Sequence, residues 1–252
     1  MKIIHIVETA KCYYYSGKIK SVVKSYLSLY SKWNSFWKDF ELFLINNSFE
    51  NRKKALINLS PELHDKTSET CLDPIYFYQD CWAFELIVKN KPTKHFDIGS
   101  HHKYVALLSK VVDVTMVDIR PLSLTLDSLG FVHGDITALP LADRSITSLS
   151  SLCVIEHIGL GRYGDAIDAK GSEKAAAELA RVLVVGGHLY VSVPVAKESF
   201  LRFNSHRVFE ENYFLSLFPE MECVEKKYII DETCGDYRSD LECVGLYHLI
   251  KR

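Results

Sequence analysis

Residues 94–121 read KHFDIGSHHKYVALLSKVVDVTMVDIRP, two short apolar runs that each end on an aspartate, Asp97 and Asp118. A third run, GFVHGD over residues 130–135, closes on Asp135. Runs of four or five apolar residues separated by a helix-length segment imply parallel strands joined by crossovers. In an open parallel sheet, ligands sit beyond the carboxyl ends of the strands. Acids placed there face a ligand, and three in succession point to a nucleoside-bearing cofactor.

The pattern extends in both directions. The spacing predicts a helix over Asp80–Asn90 ended before Pro92, the strand Lys94–Ile98, a helix over Lys103–Lys110, and the strand Val114–Val117. Pro121 then opens a helix that Gly130 closes, followed by strands Phe131–His133 and Ser145–Ile155. Gly171–Leu183 is helical, with Ala175, Ala176, Leu179, Val182 and Leu183 on one face, and Gly186 and Gly187 stop it before the strand Leu189–Val195. Glu222–Asp231 and Val244–Lys251 are strand-like with only a loop between them, so they pair antiparallel at one sheet edge. The expected fold is α/β: a Rossmann-like, doubly wound, mostly parallel seven-stranded sheet with a C-terminal antiparallel pair.

A 252-residue chain that is 48% hydrophobic can bury a sizeable core. Its net charge of −2 conceals an asymmetry: residues 1–60 hold ten Lys/Arg against four Asp/Glu. Within that basic quarter Val22, Val23, Tyr26, Tyr30, Trp33, Trp37, Phe40 and Leu44 recur at helical spacing, giving an amphipathic helix over Lys18–Leu44. We therefore expect a helical extension over 1–70 and a main domain over 71–252. The helix suits packing on the main domain or on a second copy, making a homo-oligomer, or binding to an anionic membrane surface or acidic polymer. Nucleic acid is disfavoured, since the chain is slightly acidic and carries no zinc-finger, helix-turn-helix or single-strand-binding signature.

Seven scattered cysteines without a C-x-x-C pair imply reduced thiols, no metal site and a cytoplasmic setting. No run reaches the length of a membrane span, and Met1–Ala10 is too interrupted for a secretory signal.

The turn after Asp97 holds one glycine, Gly99, where a dinucleotide fingerprint has three, which disfavours NAD and FAD. A Tyr-x-x-x-Lys match at Tyr14–Lys18 precedes the first strand and does not rescue a nicotinamide enzyme. S-adenosylmethionine has no pyrophosphate; it needs one close backbone approach, a carboxylate for the ribose diol and a polar group near the adenine amine. Asp118, 21 residues after Asp97, stands where the ribose acid belongs.

With these pieces in place, the chain resembles class I S-adenosylmethionine-dependent methyltransferases over about residues 75–252. The matching segments are Asp97-Ile-Gly-Ser, Val117-Asp-Ile-Arg-Pro, Gly134-Asp-Ile-Thr-Ala-Leu-Pro-Leu, Ile155-Glu-His-Ile-Gly and Glu178-Leu-Ala-Arg-Val-Leu-x-x-Gly-Gly. Tyr76-Phe-Tyr-Gln-Asp, Glu156-His-Ile-Gly-Leu-Gly-Arg-Tyr-Gly-Asp and Phe203-Asn-Ser-His-Arg look closest to an uncharacterised branch met in bacterial surface-polysaccharide gene clusters. The resemblance implies S-adenosylmethionine as cofactor and a sugar as methyl acceptor. It assigns Asp97 and Gly99 to the methionine end, Ser100 to cofactor binding, Asp118 to the ribose, Ile119 to the adenine face, Asp135 with the Ile136 backbone to the adenine edge, and Glu156 with His157 to the floor beneath the sulfonium. His101 and His102 depart from the family's small residues after the glycine, as an exposed pair or as contributors to the site.

Methyl transfer to a hydroxyl needs alignment and a base to take the proton. His157, Asp165 and His206 are the candidates, with a bracing role for Asp165 through Arg162 as the structural alternative. The loop Gly159-Leu-Gly-Arg-Tyr-Gly-Asp165 either closes over a ligand or forms a stiff turn, and Arg162 and Tyr163 contact a sugar or phosphate in the first case. Arg202, Asn204, His206 and Arg207 suit an anionic group. A non-catalytic binding or assembly subunit built on the same fold is the competing class.

Overall fold

The computed structural model describes residues 18–46, 59–70, 72–230, 233–235 and 242–252. The expectations for Met1–Ala10, Tyr14, Cys12, Cys71, Asp231 and most of the loop Glu232–Cys243 lie outside them. The chain divides into two units, Met1–Cys71 and Leu72–Arg252.

In the first unit one helix, α1 (Lys18–Asn46), carries the amphipathic stripe. Trp33, Phe36, Trp37 and Phe40 stack along it at centroid distances of 5.3–6.4 Å. Val23, Tyr26, Tyr30 and Trp37 are exposed. Among the described residues no helix is long and apolar enough to cross a membrane.

The second unit opens with α2 (Pro74–Asn90). Asp73 caps it, its Oδ1 accepting the amides of Ile75 at 3.0 Å and Tyr76 at 3.3 Å, and Pro74 takes the first helical position, where its missing N–H costs nothing. The helix therefore starts six residues before the expected Asp80. Then follow β1 (His95–Ile98), α3 (His102–Leu108), β2 (Val114–Asp118), β3 (Leu129–His133), β4 (Ile146–Leu152), α4 (Gly171–Val182), β5 (Leu183–Ala196), β6 (Phe200–Arg202), β7 (His206–Glu210), α5 (Glu211–Ser216), β8 (Met221–Ile230), β9 (Thr233–Gly235) and β10 (Cys243–Lys251).

Eight of the strands lie in the order β3-β2-β1-β4-β5-β10-β8-β9, and off this path β7 pairs parallel with the end of β5 and antiparallel with β6. Neighbours from β3 to β5 are parallel, and β10 runs antiparallel to both β5 and β8. The fold is thus a Rossmann-like, doubly wound α/β sheet closed by an antiparallel pair. Both faces are covered, as a parallel sheet requires. Leu179, Ala175 and Phe214 pack with Leu149, Val191 and Tyr247 on one face, and Trp82, Ile87, Tyr104 and Leu108 pack with Met116, Tyr190 and Leu246 on the other.

Three local expectations fail. Pro121 opens no helix: residues 121–128 form turns and coil, and Gly130 lies in β3 opposite Thr115. Leu122, Leu124 and Leu126 alternate with Ser123 and Thr125, a period of two, and hydroxyl side chains compete for the backbone. Gly186 and Gly187 do not stop α4, which ends at Val182; they lie inside β5, where the register against β4 slips between Ile146 and Ser148. The fourth strand ends at Leu152, and Ile155–His157 winds into a 3₁₀ turn.

Candidate functional site

The strand order reverses between β1 and β4, and the crevice beyond their carboxyl ends is where such a sheet binds its ligand. β1 runs into Gly99, whose φ of +70° favours glycine. A Cβ on it would stand 3.2 Å from Val154 Cγ1 and 3.8 Å from Asp118 Oδ2, so glycine keeps the crevice open. The turn is held from behind. Asp97, fully buried, accepts the Ser100 amide at 3.0 Å and the Ser150 hydroxyl at 2.5 Å, and Ser100 Oγ accepts the Leu152 amide at 2.9 Å. Burial pushes the Asp97 carboxyl up to about 6 against the pull of those hydrogen bonds.

The cleft in front of the turn is lined by Gly99, Asp118, Ile119, Asp135 and Ile136, and across it by His157, Tyr163 and Asp165. Asp118 Oδ1 accepts the Arg120 amide at 2.8 Å, which bends the chain after β2, and its other oxygen faces the Gly99 side. Asp135 Oδ1 accepts the Thr137 amide and hydroxyl, each at 2.8 Å. Arg181 secures the following segment by donating to the Leu139 and Leu141 carbonyls, while Glu178 accepts the Leu139 amide at 2.7 Å. One carboxylate between apolar walls, with a second acid at the far edge, suits a ligand with a diol and a flat apolar body.

A second cavity adjoins the cleft at Cys153, His157 and Tyr163, and its lining adds Tyr76, Glu156, Arg162, His206 and Glu242. His157 Nδ1 lies 2.7 Å from the Ser205 carbonyl, which only accepts, so the proton sits on Nδ1 and Nε2 keeps its lone pair. Burial holds this imidazole down at about 4, neutral near pH 7. Its Nε2 stands 3.7 Å from Glu156 Oε1. Glu156 is buried, its Oε2 has no hydrogen-bond partner, and burial pushes its carboxyl up to about 8.

The glycine-rich loop is a built turn. Asp165 Oδ2 accepts the amides of Gly159 at 2.7 Å and Gly161 at 3.3 Å, and its Oδ1 that of Tyr163 at 3.2 Å. Partial burial works the other way, but these three amides hold the Asp165 carboxyl below its ordinary value. Asp165 therefore braces the loop through backbone amides and not through Arg162. The loop holds Tyr163 between two cations, Arg120 at 4.4 Å and Arg162 at 5.0 Å from the ring centre.

The structure gathers Gly99, Asp118, Ile119, Asp135, Ile136, His157 and Asp165 at one cleft, and Glu156 and His206 in the adjoining cavity. Asp97 and Ser100 are in the wall behind the turn. The expected anion cluster does not form: Arg202 pairs with Glu242 at 2.5 and 2.8 Å, Arg207 donates to the carbonyls of Ile158, Asp168 and Ala169, and Asn204 is exposed. His101 and His102 stack at 4.4 Å and line an outer groove with Tyr76.

Sequence reasoning gave no role to Tyr76 and Gln79. Tyr76 lines the second cavity, and the buried Gln79 accepts from Ser192 Oγ at 2.8 Å and Cys153 Sγ at 3.2 Å, tying α2 to β5 and to the residue just past β4. Their signal was the Tyr76-Phe-Tyr-Gln-Asp segment itself, together with the Asp73-Pro74 start of α2, which puts both one or two turns into a helix.

The family described as "Caenorhabditis protein of unknown function, DUF268" matches residues 143–229, less than half of the chain. Among curated proteins no sequence matches. The fold is similar to 1,6-didemethyltoxoflavin-N1-methyltransferase of Burkholderia thailandensis with bound S-adenosylhomocysteine: 14% identity over 69% of this chain and 79% of that one, TM-score 0.53. It is also similar to the N-methyltransferase NodS of Bradyrhizobium japonicum in complex with S-adenosyl-L-homocysteine: 15% identity over 82% and 99%, TM-score 0.50. The cyclase SpnF matches at 12% identity over 68% and 81%, TM-score 0.50. The three share this chain's fold.

Proposed function

We propose that this chain is an S-adenosylmethionine-dependent methyltransferase that methylates a hydroxyl of a small or carbohydrate acceptor. The observation that carries the reading is the cleft itself: Gly99 open beside Asp118, apolar walls at Ile119 and Ile136, Asp135 at the far edge, and a second cavity beginning at His157. Solved methyltransferases of the same fold hold S-adenosylhomocysteine, which supports the cofactor.

The residues fit the group. The space a Cβ on Gly99 would occupy is open, Asp118 Oδ2 would accept from the ribose hydroxyls, Ile119 and Ile136 would flank the adenine, and Asp135 would meet its edge. Asp97 and Ser100 act from behind by fixing the turn. When bound, the cofactor supplies an electrophilic methyl on a sulfonium, already a good leaving centre. The chain's work is then to align the acceptor and remove its proton. His157 would do this: the Ser205 carbonyl orients the ring, which supports Nε2 as the atom that receives the proton. His206, at a ring distance of 6.3 Å, lines the acceptor side.

A neutral hydroxyl fits the acceptor cavity better than an anion, because Asp73, Glu156 and Glu242 line it and Arg162, the arginine in the lining, already donates to the Ser205 carbonyl. This favours a sugar hydroxyl over an acidic sugar or a phosphate.

The same fold in the cyclase SpnF favours one competing reading, a binding site that carries no methyl transfer. Incubation with S-adenosylmethionine labelled on the methyl and a panel of sugars, nucleotide sugars and polysaccharide fragments separates the two. The proposal expects label in at least one acceptor, lost in His157→Ala; label in none, with cofactor bound, would favour the competing reading.

A further inference from the structure

Beyond the cleft, the floor of the second cavity presents two polar side chains from one 3₁₀ turn, Glu156 and His157. Glu156 is 2% exposed, and its Oε2 has no hydrogen-bond partner. A buried polar atom left unpaired is costly, so such an atom at a cavity floor marks a place where a ligand completes the site. The gap of 3.7 Å between His157 Nε2 and Glu156 Oε1 is too long for the two to satisfy each other. His157 Nδ1 is committed to the Ser205 carbonyl, so its Nε2 also awaits a donor from outside.

Both waiting groups accept a hydrogen bond, and they are one residue apart. A single hydroxyl satisfies one of them; the 3.7 Å approach of the imidazole to the carboxyl is a span that two hydroxyls on adjacent carbons can match. Burial keeps the Glu156 carboxyl protonated near neutral pH, so it can also donate to the oxygen it binds. An anionic acceptor would find no such welcome, since Asp73 and Glu242 share the lining and Arg162, the arginine in it, already donates to the Ser205 carbonyl at 3.1 Å.

We propose that Glu156 and His157 together read a 1,2-diol, His157 Nε2 taking the proton of the hydroxyl that is methylated and Glu156 Oε2 binding its neighbour. This rests on the methyl-transfer reading and names the acceptor class for it. In the step, the acceptor O–H bond breaks and its proton moves to His157 Nε2. The new O–CH3 bond uses that oxygen's electron pair, and the electrons of the broken S–CH3 bond return to sulfur. The neighbouring hydroxyl keeps its hydrogen bond to Glu156 and is left unmethylated.

The test uses the full chain and three probes of one size: cis-cyclohexane-1,2-diol, cyclohexanol and cyclohexanecarboxylate. Their affinities are measured by saturation-transfer NMR with and without saturating S-adenosylhomocysteine. The wild type is expected to bind the diol roughly tenfold tighter than cyclohexanol, the value of one well-made hydrogen bond, and the carboxylate more weakly than either. Glu156→Leu is expected to bring the diol-to-cyclohexanol ratio close to one, and Glu156→Gln, which still donates and accepts, to keep most of it. That ratio does not respond to a merely structural or cofactor-holding role. A diol that binds no better than cyclohexanol, a carboxylate that binds best, or a ratio untouched by Glu156→Leu would overturn the inference. Calorimetric titration of S-adenosylhomocysteine into the wild type runs beside it, so that absence of cofactor binding strikes the methyl-transfer reading while the diol ratio, measured without cofactor, still judges the pair.

Discussion

Removing the Asp165 carboxylate tells a loop brace from a catalytic base. Asp165→Ala strips acceptors from three backbone amides, those of Gly159 at 2.7 Å, Tyr163 at 3.2 Å and Gly161 at 3.3 Å. A hydrogen bond to a charged group contributes roughly 1.5–3 kcal/mol. Two of the three are long, and Asp165 is only partly buried, so water replaces much of what is lost; a net destabilisation of about 2–3 kcal/mol remains. For a domain of this size that lowers the melting temperature by roughly 5–10 °C at pH 7. Asp165→Asn keeps one acceptor oxygen and is expected to lose about half as much. The pH dependence carries a definite sign. Folding lowers this carboxyl, so its contribution is present above the unfolded value of about 3.9 and fades as pH falls through the lower folded value. Urea midpoints of wild type and Asp165→Ala should therefore separate at pH 7 and converge toward pH 3. If Asp165→Ala melts within about 1 °C of wild type at pH 7 yet abolishes methyl transfer, Asp165 is a base and the brace assignment is wrong.

Glycine substitutions in the same loop should differ sharply. A Cβ on Gly159 would lie 2.0 Å from the Asp168 carbonyl oxygen, whereas one on Gly164 meets nothing within 4 Å, and both positions have positive φ. Gly159→Ala is expected to cost more than about 3 kcal/mol in urea unfolding and Gly164→Ala about 1 kcal/mol; equal losses would contradict the packing. Burial raises the Glu156 carboxyl to about 8, so its contribution to stability is complete below the unfolded value and is lost as pH rises toward 8. Wild type should lose stability on the order of 3 kcal/mol between pH 5 and 8.5 through this group, and Glu156→Gln should flatten that slope; parallel curves would show that Glu156 ionises freely. The exposed aromatic face of α1 is expected to associate chains, with Tyr30→Glu/Trp37→Glu shifting sedimentation to the monomer. A wild type that already sediments as a monomer at all concentrations would refute this.

The sheet was legible because its strands advertise themselves. His95–Ile98, Val114–Asp118 and Leu189–Val195 are runs of strand length, and Asp97 and Asp118, at the carboxyl ends of the first two, mark the ligand edge. What misled was local: Pro121 sits at a good helix start, but the Asx turn of Asp118 on the Arg120 amide and the alternating hydroxyls behind it favour coil. Gly186 and Gly187 imitate a helix stop, although Leu183 has already turned extended and joined β5. At the site, residue type located the groups but not their partners. Arg202 and Arg207 looked like an anion site until Glu242 and the Ile158 carbonyl were seen to hold them. Asp97 carried the right charge in the right place, and its burial behind the turn depends on Ser150, 53 positions away. Such pairings are fixed by strand register, which a linear pattern does not encode.

The central claim is a nucleoside cleft whose ribose acid is Asp118. Calorimetric titration of S-adenosylhomocysteine into the full chain tests it most directly. Binding by the wild type is expected, weakened roughly 10- to 100-fold in Asp118→Ala, the loss of one hydrogen bond to a carboxylate acceptor. A wild type that gives no binding heat and no thermal shift with the ligand, or an Asp118→Ala variant that binds as tightly as wild type, would contradict it.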